Sequence, residues 1–241
     1  MEVAPAGHGA GRSVVAAISA HRAGETPAAY EAAAAAGADY VEIDVRRTGD
    51  GELVAHHDDR VRGLRLAQAS YRDLCAVAGR AVPRLREVLM AIAGRSAAQL
   101  DLKEAGCERA AVAMAADVLG TSEVVVTTRL PGSIAIVKRE FADVRAALSL
   151  GRGWYEPAVV RDAFPLRRLL ACGADWAAIN HRLARLGVLE RCAGQGFRVM
   201  VWTVNADPLM RRFLADPRVA VLITDRPHRA AQLRHALSSP P

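Results

Sequence analysis

The sequence predicts an α/β protein folded as a single-domain (β/α)8, or TIM, barrel, and three observations lead there. Short β-branched runs alternate with longer Ala/Leu/Arg segments of helical period from one end to the other. Eight such units share 241 residues, close to the roughly 250 that an eightfold barrel typically needs. The first strand is not followed by the Gly-x-Gly-x-x-Gly turn that would favour the rival, an open doubly wound sheet. No linker or composition shift marks a second domain. Residues 1–12 read as a flexible N-terminal tail and 13–241 as the barrel domain.

Taken in order, Val14–Ala20 is the first strand and Thr26–Ala36 the first helix, closed by Gly37. Tyr40–Val45 is the second strand. A ninth extended run, Glu52–His57, follows the Gly49–Gly51 turn and fits no barrel position; it reads as a hairpin arm or an extra strand. Arg60–Pro83 is irregular and polar, with one helical patch at Ser70–Ala76, before the helix Arg84–Ala93. The remaining strands are Ala98–Lys103, Val124–Thr128, Val144–Leu150, Trp176–Asn180, Arg198–Val204 and Val219–Thr224. The helices Glu108–Leu119, Pro131–Phe141, Val159–Ala171, Ala184–Ala193, Leu209–Ala215 and Pro227–Leu237 complete the pattern.

Composition removes several function classes. A chain of this length buries roughly 70–75% of its unfolded surface and needs no disulfide staple. Cys75, Cys107, Cys172 and Cys192 lie far apart without metal-type pairing, as in a reducing compartment. The N-terminus lacks a basic start followed by an unbroken apolar run, and no stretch reaches 18 apolar residues. The expectation is a protein with no transmembrane segment and a cytoplasmic location. Net charge is +6, but there is no basic stripe and no aromatic-interleaved basic run, so a nucleic-acid partner is not expected. The sequence leaves oligomeric state open. Basic residues are almost all arginine; Lys103 and Lys138 are the exceptions, which background usage explains poorly.

Barrel enzymes place functional side chains at the C-terminal ends of strands. There the chain offers His21 and Arg22, then Glu42 and Asp44 on one face of the second strand, then Asp101 and Lys103 on one face of the third. Trp202, Asn205 and Asp225 follow at the last two. Two buried acids alone are commonly a salt-bridged structural feature. Three acids from adjacent strands make an oxygen-rich site suited to one hard divalent cation, Mg²⁺ or Ca²⁺. Two histidines nearby suit general acid and base roles, and an Arg–Lys pair suits a phosphodiester. Trp202 fits either the barrel core or a leaving-group pocket. Asn205 and Asp225 read as helix caps, His181 as a loop residue, and Trp154 and Tyr155 as candidates to pack over the mouth. Arg60, Arg62 and Arg65 are either a basic rim or a solvated loop.

The stretch from His21 to Asp58, HRAGETPAAYEAAAAAGADYVEIDVRRTGDGELVAHHD, resembles the opening block of glycerophosphodiester phosphodiesterases. In that family a His-Arg-Gly turn precedes a Glu-x-Asp strand and a His-Asp. The later DLK, VWTVN and ITDRP blocks match in order and placement. The resemblance implies a metal-dependent hydrolase that acts on a small-molecule phosphodiester, with Glu42, Asp44 and Asp101 on the metal. It implies His21 and His57 as the acid–base pair and Arg22 and Lys103 on the phosphate. His57 aligns with the family histidine because it directly precedes Asp58, leaving His56 as a structural neighbour. The implied reaction passes through a cyclic phosphate that water opens.

Four departures from the family pattern stand out. Ala23 replaces the motif glycine. The following Pro-Glu-Asn-Thr segment is shortened, with Glu25 and Thr26 remaining. Asp101 stands where most members have Glu, and Arg60–Pro83 is a short insertion. The last features lean toward sphingomyelinase D-like phospholipases, which release cyclic phosphate; Arg22 and the intact WTVN lean back. A non-catalytic barrel that binds phosphorylated ligands is a third reading, against which both histidines and all three acids stand.

Overall fold

The structure, a computed structural model, describes residues 15–151 and 158–238. The expected tail, Trp154 and Tyr155 lie outside the described residues. The chain runs through β1 (Ala17–Ala20), α1 (Pro27–Ala35) and β2 (Tyr40–Arg47). A short arm, β3 (Leu53–Ala55), folds back antiparallel on β2 and pairs Val45 with Ala55 and Arg47 with Leu53. The Glu52–His57 run is therefore a hairpin arm and not a ninth barrel strand. β4 (Arg60–Val61) and β5 (Leu64–Arg65) form a separate small hairpin. Then come α2 (Tyr71–Ala78), α3 (Leu85–Ile92), β6 (Ala97–Leu102), α4 (Glu108–Leu119), β7 (Val124–Thr128), α5 (Pro131–Glu140) and β8 (Arg145–Leu150). The last third holds α6 (Ala158–Ala163), α7 (Leu166–Cys172), β9 (Trp176–Asn180), α8 (His181–Leu183), a π-helical turn (Ala184–Val188) and α9 (Leu189–Ala193). It finishes with β10 (Arg198–Trp202), α10 (Asp207–Leu214), β11 (Val219–Thr224) and α11 (Pro227–Ser238).

Eight parallel strands close into a barrel in the order β1-β2-β6-β7-β8-β9-β10-β11, with β11 returning to β1. The β1–β2 seam is short: it pairs only Ser19 with Tyr40 and Ala20 with Val41, against six paired positions between β2 and β6. Side chains alternate as strand geometry requires. Val41, Ile43 and Val45, with Leu100, Val126, Leu148, Ile179, Val201 and Leu222, face the helix ring and form the larger core. Val125, Ala147, Trp176, Ala178, Met200, Val221 and Ile223 fill the barrel interior. Among the described residues, no helix is long and apolar enough to cross a membrane.

Two expected helices are interrupted for identifiable reasons. The 159–171 segment splits at Pro165, which has no backbone N–H to continue α6 into α7. The 184–193 segment is disrupted at Gly187, whose φ is +84°, so that a π turn joins α8 to α9. The expected Arg198–Val204 strand ends at Trp202. The Arg60–Pro83 connection contains more order than its polarity suggests: Ser70 caps α2 by accepting from the Asp73 N–H, and Gly79 ends it in the left-handed conformation.

Ile43 is fully buried between the two acidic residues of β2 and anchors that strand to the helix ring. Ile43→Ala is expected to lower unfolding stability by about 2–5 kcal/mol, measured by urea denaturation. A loss under about 1 kcal/mol would show that the outer face of β2 is not a close-packed anchor.

Candidate active site

Alternation on β2 turns Glu42 and Asp44 into the barrel mouth, and the β2–β6 register sets Asp44 directly beside Asp101. One carboxylate oxygen from each of the three lies within 4.8 Å of the others. Glu42 and Asp44 are 3% and 5% exposed, so their charge has little water to stabilise it. The Lys103 ammonium answers it. Lys103 Nζ is 2.7 Å from Asp44 Oδ1 and also contacts Asp101 Oδ2. Arg22 approaches from the next strand: its backbone N–H donates to Glu42 Oε2 at 2.9 Å, and its Nε lies 3.6 Å from Asp44 Oδ2. Arg22 holds a left-handed φ of +45° to do so, a conformation uncommon outside glycine.

Burial and the neighbouring Asp44 and Asp101 carboxylates push the Glu42 acid well above the ordinary carboxylate range. Burial acts the same way on Asp44, but the Lys103 charge and contacts with Glu42 and Lys103 outweigh it and hold that acid below its usual value. Burial opposes the Lys103 charge too, yet the three surrounding acids raise its pKa. The cluster thus favours a protonated Glu42 and a charged Lys103 over three unpaired carboxylates.

The two histidines have matching support. His21, just past β1, has its Nδ1 2.6 Å from Asp225 Oδ1 at the end of β11. His57, beyond the β3 arm, has its Nδ1 2.7 Å from Asp58 Oδ1. An ionised carboxylate can only accept, so each Nδ1 donates, and in the neutral ring Nε2 is the nitrogen that bears the lone pair. Asp225 and Asn205, expected to cap helices, do something else. The Asn205 amide donates to Asp225 Oδ2, and Asn205 Oδ1 accepts from the Thr224 hydroxyl and the Asp225 N–H. α10 is instead entered through Ala206, with no side-chain cap.

Other expected residues separate into those at the mouth and those turned away. Trp202 ends β10, packed against the interior cluster, with its Nε1 buried and without a hydrogen bond. Glu25 pairs with Arg80 at 2.7 Å. His56 has a buried Nε2 with no partner, and burial lowers its pKa. His181 opens α8. Arg60 bonds the Gly63 carbonyl within its own hairpin, which suits a solvated loop. Sequence reasoning missed Arg46. It lies on the same face of β2 as Glu42 and Asp44, donates to the His57 carbonyl at 2.8 Å and pairs with Glu104 at 3.3 Å. The strand's period of two was the available signal.

The acid cluster fits a hard divalent cation. All the donors are carboxylate oxygens, and one oxygen from each of the three acids converges within 4.8 Å of the others. Glu42, Asp44 and Asp101 would hold it.

Because pairing depresses the folded pKa of Asp44, its contribution to stability is present above the unfolded value of about 4 and is lost as pH falls through the folded one. Lys103→Met is accordingly expected to destabilise the metal-free protein at pH 7 by about 3–5 kcal/mol, the usual effect of removing one partner of a buried pair. The deficit shrinks toward pH 3, as chemical denaturation at the two pH values would measure. An equal deficit at both would assign the effect to packing of the lysine stem.

The model of the glycerophosphoryl diester phosphodiesterase family matches residues 17–229. A search of curated proteins returns no match. Among solved structures, a glycerophosphodiester phosphodiesterase from Parabacteroides distasonis is 19% identical with a TM-score of 0.78, covering 95% of this chain and 100% of its own. One from Thermotoga maritima is 19% identical with a TM-score of 0.72, covering 91% and 98%. An Oleispira antarctica phosphodiesterase, solved in complex with the product sn-glycerol-3-phosphate, is 19% identical with a TM-score of 0.71, covering 92% and 97%. These likenesses establish the fold, and the family match extends across almost all of the barrel. The chain belongs to the glycerophosphoryl diester phosphodiesterase family and is a phosphoric diester hydrolase.

Proposed function

We propose that the barrel mouth hydrolyses a small glycerophosphodiester to an alcohol and a glycerol phosphate, by histidine acid–base catalysis assisted by one divalent cation. The observation that carries this reading is the matched pair of imidazoles. Each has Nδ1 held by a carboxylate, at 2.6 Å for His21 and 2.7 Å for His57, beside a cluster of three acids and one lysine. The Oleispira neighbour's glycerol phosphate product supports the substrate class.

In this reading one imidazole takes the proton of the substrate hydroxyl adjacent to the ester through its free Nε2. That oxygen forms a bond to phosphorus, and the P–O bond to the leaving alcohol breaks. The other imidazole, protonated, delivers its Nε2 proton to the departing oxygen. Water then opens the cyclic phosphate with the two roles exchanged, so that the net reaction consumes one water and restores both histidines. Arg22 and Lys103 hold the phosphate oxygens, whose charge grows during transfer. A cation on Glu42, Asp44 and Asp101, whether Mg²⁺ or Ca²⁺, would supply Lewis-acid polarisation and a template for the attacking oxygen. Trp202 lines the leaving-group side of the mouth. Asp225 and Asp58 stabilise the imidazolium form and fix each ring's tautomer.

Glycerophosphocholine turnover with Mg²⁺ or Ca²⁺, repeated with chelator, tests the proposal. Free glycerol phosphate should appear with metal and be lost on chelation. His57→Ala and His21→Ala should each lower kcat by about 10²–10⁴-fold; near-normal turnover in either would overturn its assignment. Persistent cyclic phosphate would point instead to the phospholipase-like relative. Retained cation binding with no turnover of any diester would favour the non-catalytic binding barrel.

The raised Glu42 pKa adds a dependence on pH. Below that raised pKa Glu42 holds a proton in the metal-free protein, which an incoming cation must displace. Cation affinity is expected to rise by roughly tenfold per pH unit below the Glu42 pKa and to level off above it. Calorimetry in buffers of different ionisation enthalpy should register about one proton released per ion bound.

A further inference from the structure

Among the described residues, the buried side chains of the barrel interior are mostly apolar, and one line of polar ones crosses them. Ser19 on β1, Gln99 on β6 and Thr127 on β7 are 0%, 3% and 1% exposed. Their neighbours on the same inner face are Val125, Ala147, Ala178, Met200, Val221 and Ile223. Ser19 Oγ donates to Gln99 Oε1 at 2.7 Å, and Gln99 Nε2 donates to Thr127 Oγ1 at 3.3 Å. Thr127 Oγ1 donates to Asp101 Oδ1 at 3.0 Å. The line thus begins two residues before His21 and ends on the third acid of the cluster.

Its direction is determined by hydrogen-bonding capacity. An ionised Asp101 only accepts, so the single Thr127 hydrogen is committed upward. The Thr127 oxygen must then receive a proton from below, which sets the Gln99 amide with its nitrogen toward Thr127 and its oxygen toward Ser19. Turning the amide over would oppose two acceptors. Asp101 Oδ1 is held from beneath, and Oδ2 is the oxygen that meets the Lys103 ammonium. The register Asp101–Thr127 and Glu42–Gln99 brings the line directly under the acids.

We infer that Ser19, Gln99 and Thr127 form a positioning relay inside the barrel that orients the Asp101 carboxylate and presents Oδ2 for cation binding. This rests on the proposal that Glu42, Asp44 and Asp101 hold a divalent ion. The relay residues touch neither substrate nor ion; they act through Asp101, as partners that hydrogen-bond a metal ligand commonly do, with effects of about 10–100-fold on affinity.

Thr127→Val keeps shape and removes the hydroxyl, and Thr127→Ser keeps the hydroxyl and removes the methyl. Mn²⁺ and Mg²⁺ binding to the metal-free proteins would be followed by calorimetry, with thermal unfolding in chelator as the measure of the fold itself. Thr127→Val should bind each ion about tenfold more weakly, whereas Thr127→Ser should stay within about threefold of wild type. Gln99→Met, chosen to retain volume, should also weaken binding, and adding it to Thr127→Val should cost little more, because both cut the same line. Wild-type affinity in either Thr127→Val or Gln99→Met would overturn the relay, as would fully additive losses. Asp101→Ala separates the two levels. If it binds ions like wild type, the metal assignment itself fails and the relay has nothing to position. If Asp101→Ala loses affinity while Thr127→Val does not, only the relay fails.

Discussion

The balance between the Lys103 ammonium and three clustered acids, Glu42 and Asp44 buried and Asp101 partly so, is the constraint on which this structure depends. Taken alone, the acids of β2 and β6 would repel one another in a region with little water. The structure answers with a Glu42 pKa raised so that its neutral form is favoured, an ion pair to Asp44 and a backbone N–H from Arg22. Each answer recruits a different strand end, so the charge problem organises the mouth. It also gives a reason for one of the two lysines in a chain that otherwise uses arginine. A compact ammonium reaches two acids at once and can turn toward a phosphate, whereas a planar guanidinium presents a rigid fork.

Much of the fold was legible because barrel strands carry two independent signals, β-branched runs and their spacing between helices. The candidate site was legible for the same reason: Glu42 with Asp44, and Asp101 with Lys103, are pairs spaced by two on strands. What was not legible depended on partners distant in sequence. Asp225 lies 204 residues from His21, and nothing local separates its role from that of a helix cap. Glu25 was placed by Arg80, from the insertion, and not by its neighbours in the shortened loop. The breaks at Pro165 and Gly187 show the opposite failure, in which local chemistry was present in the sequence and overall helical periodicity obscured it.

His57 illustrates how a loop residue is held in place. The β3 arm carries it back along β2, where the His56 N–H donates to the Asp44 carbonyl at 2.9 Å. Arg46 then holds the His57 carbonyl while Glu104, next to Lys103, holds Arg46. Main-chain anchors on both sides tie the imidazole to the strands that supply the acids. A connection outside the barrel strands is thereby fixed by main-chain contacts, the positional definition that the proposed acid–base role requires.

The short β1–β2 seam has a consequence for how this enzyme can evolve. Only two register positions join those strands, and above them the gap is bridged by Arg22 reaching Glu42 and Asp44. Functional residues usually lower stability, so that activity and robustness trade against each other. Here the groups assigned to chemistry also hold together the least-paired joint of the barrel. Substitutions that abolish function would therefore tend to loosen the scaffold as well, and drift toward a stable but inactive barrel would first require a second way to close the seam.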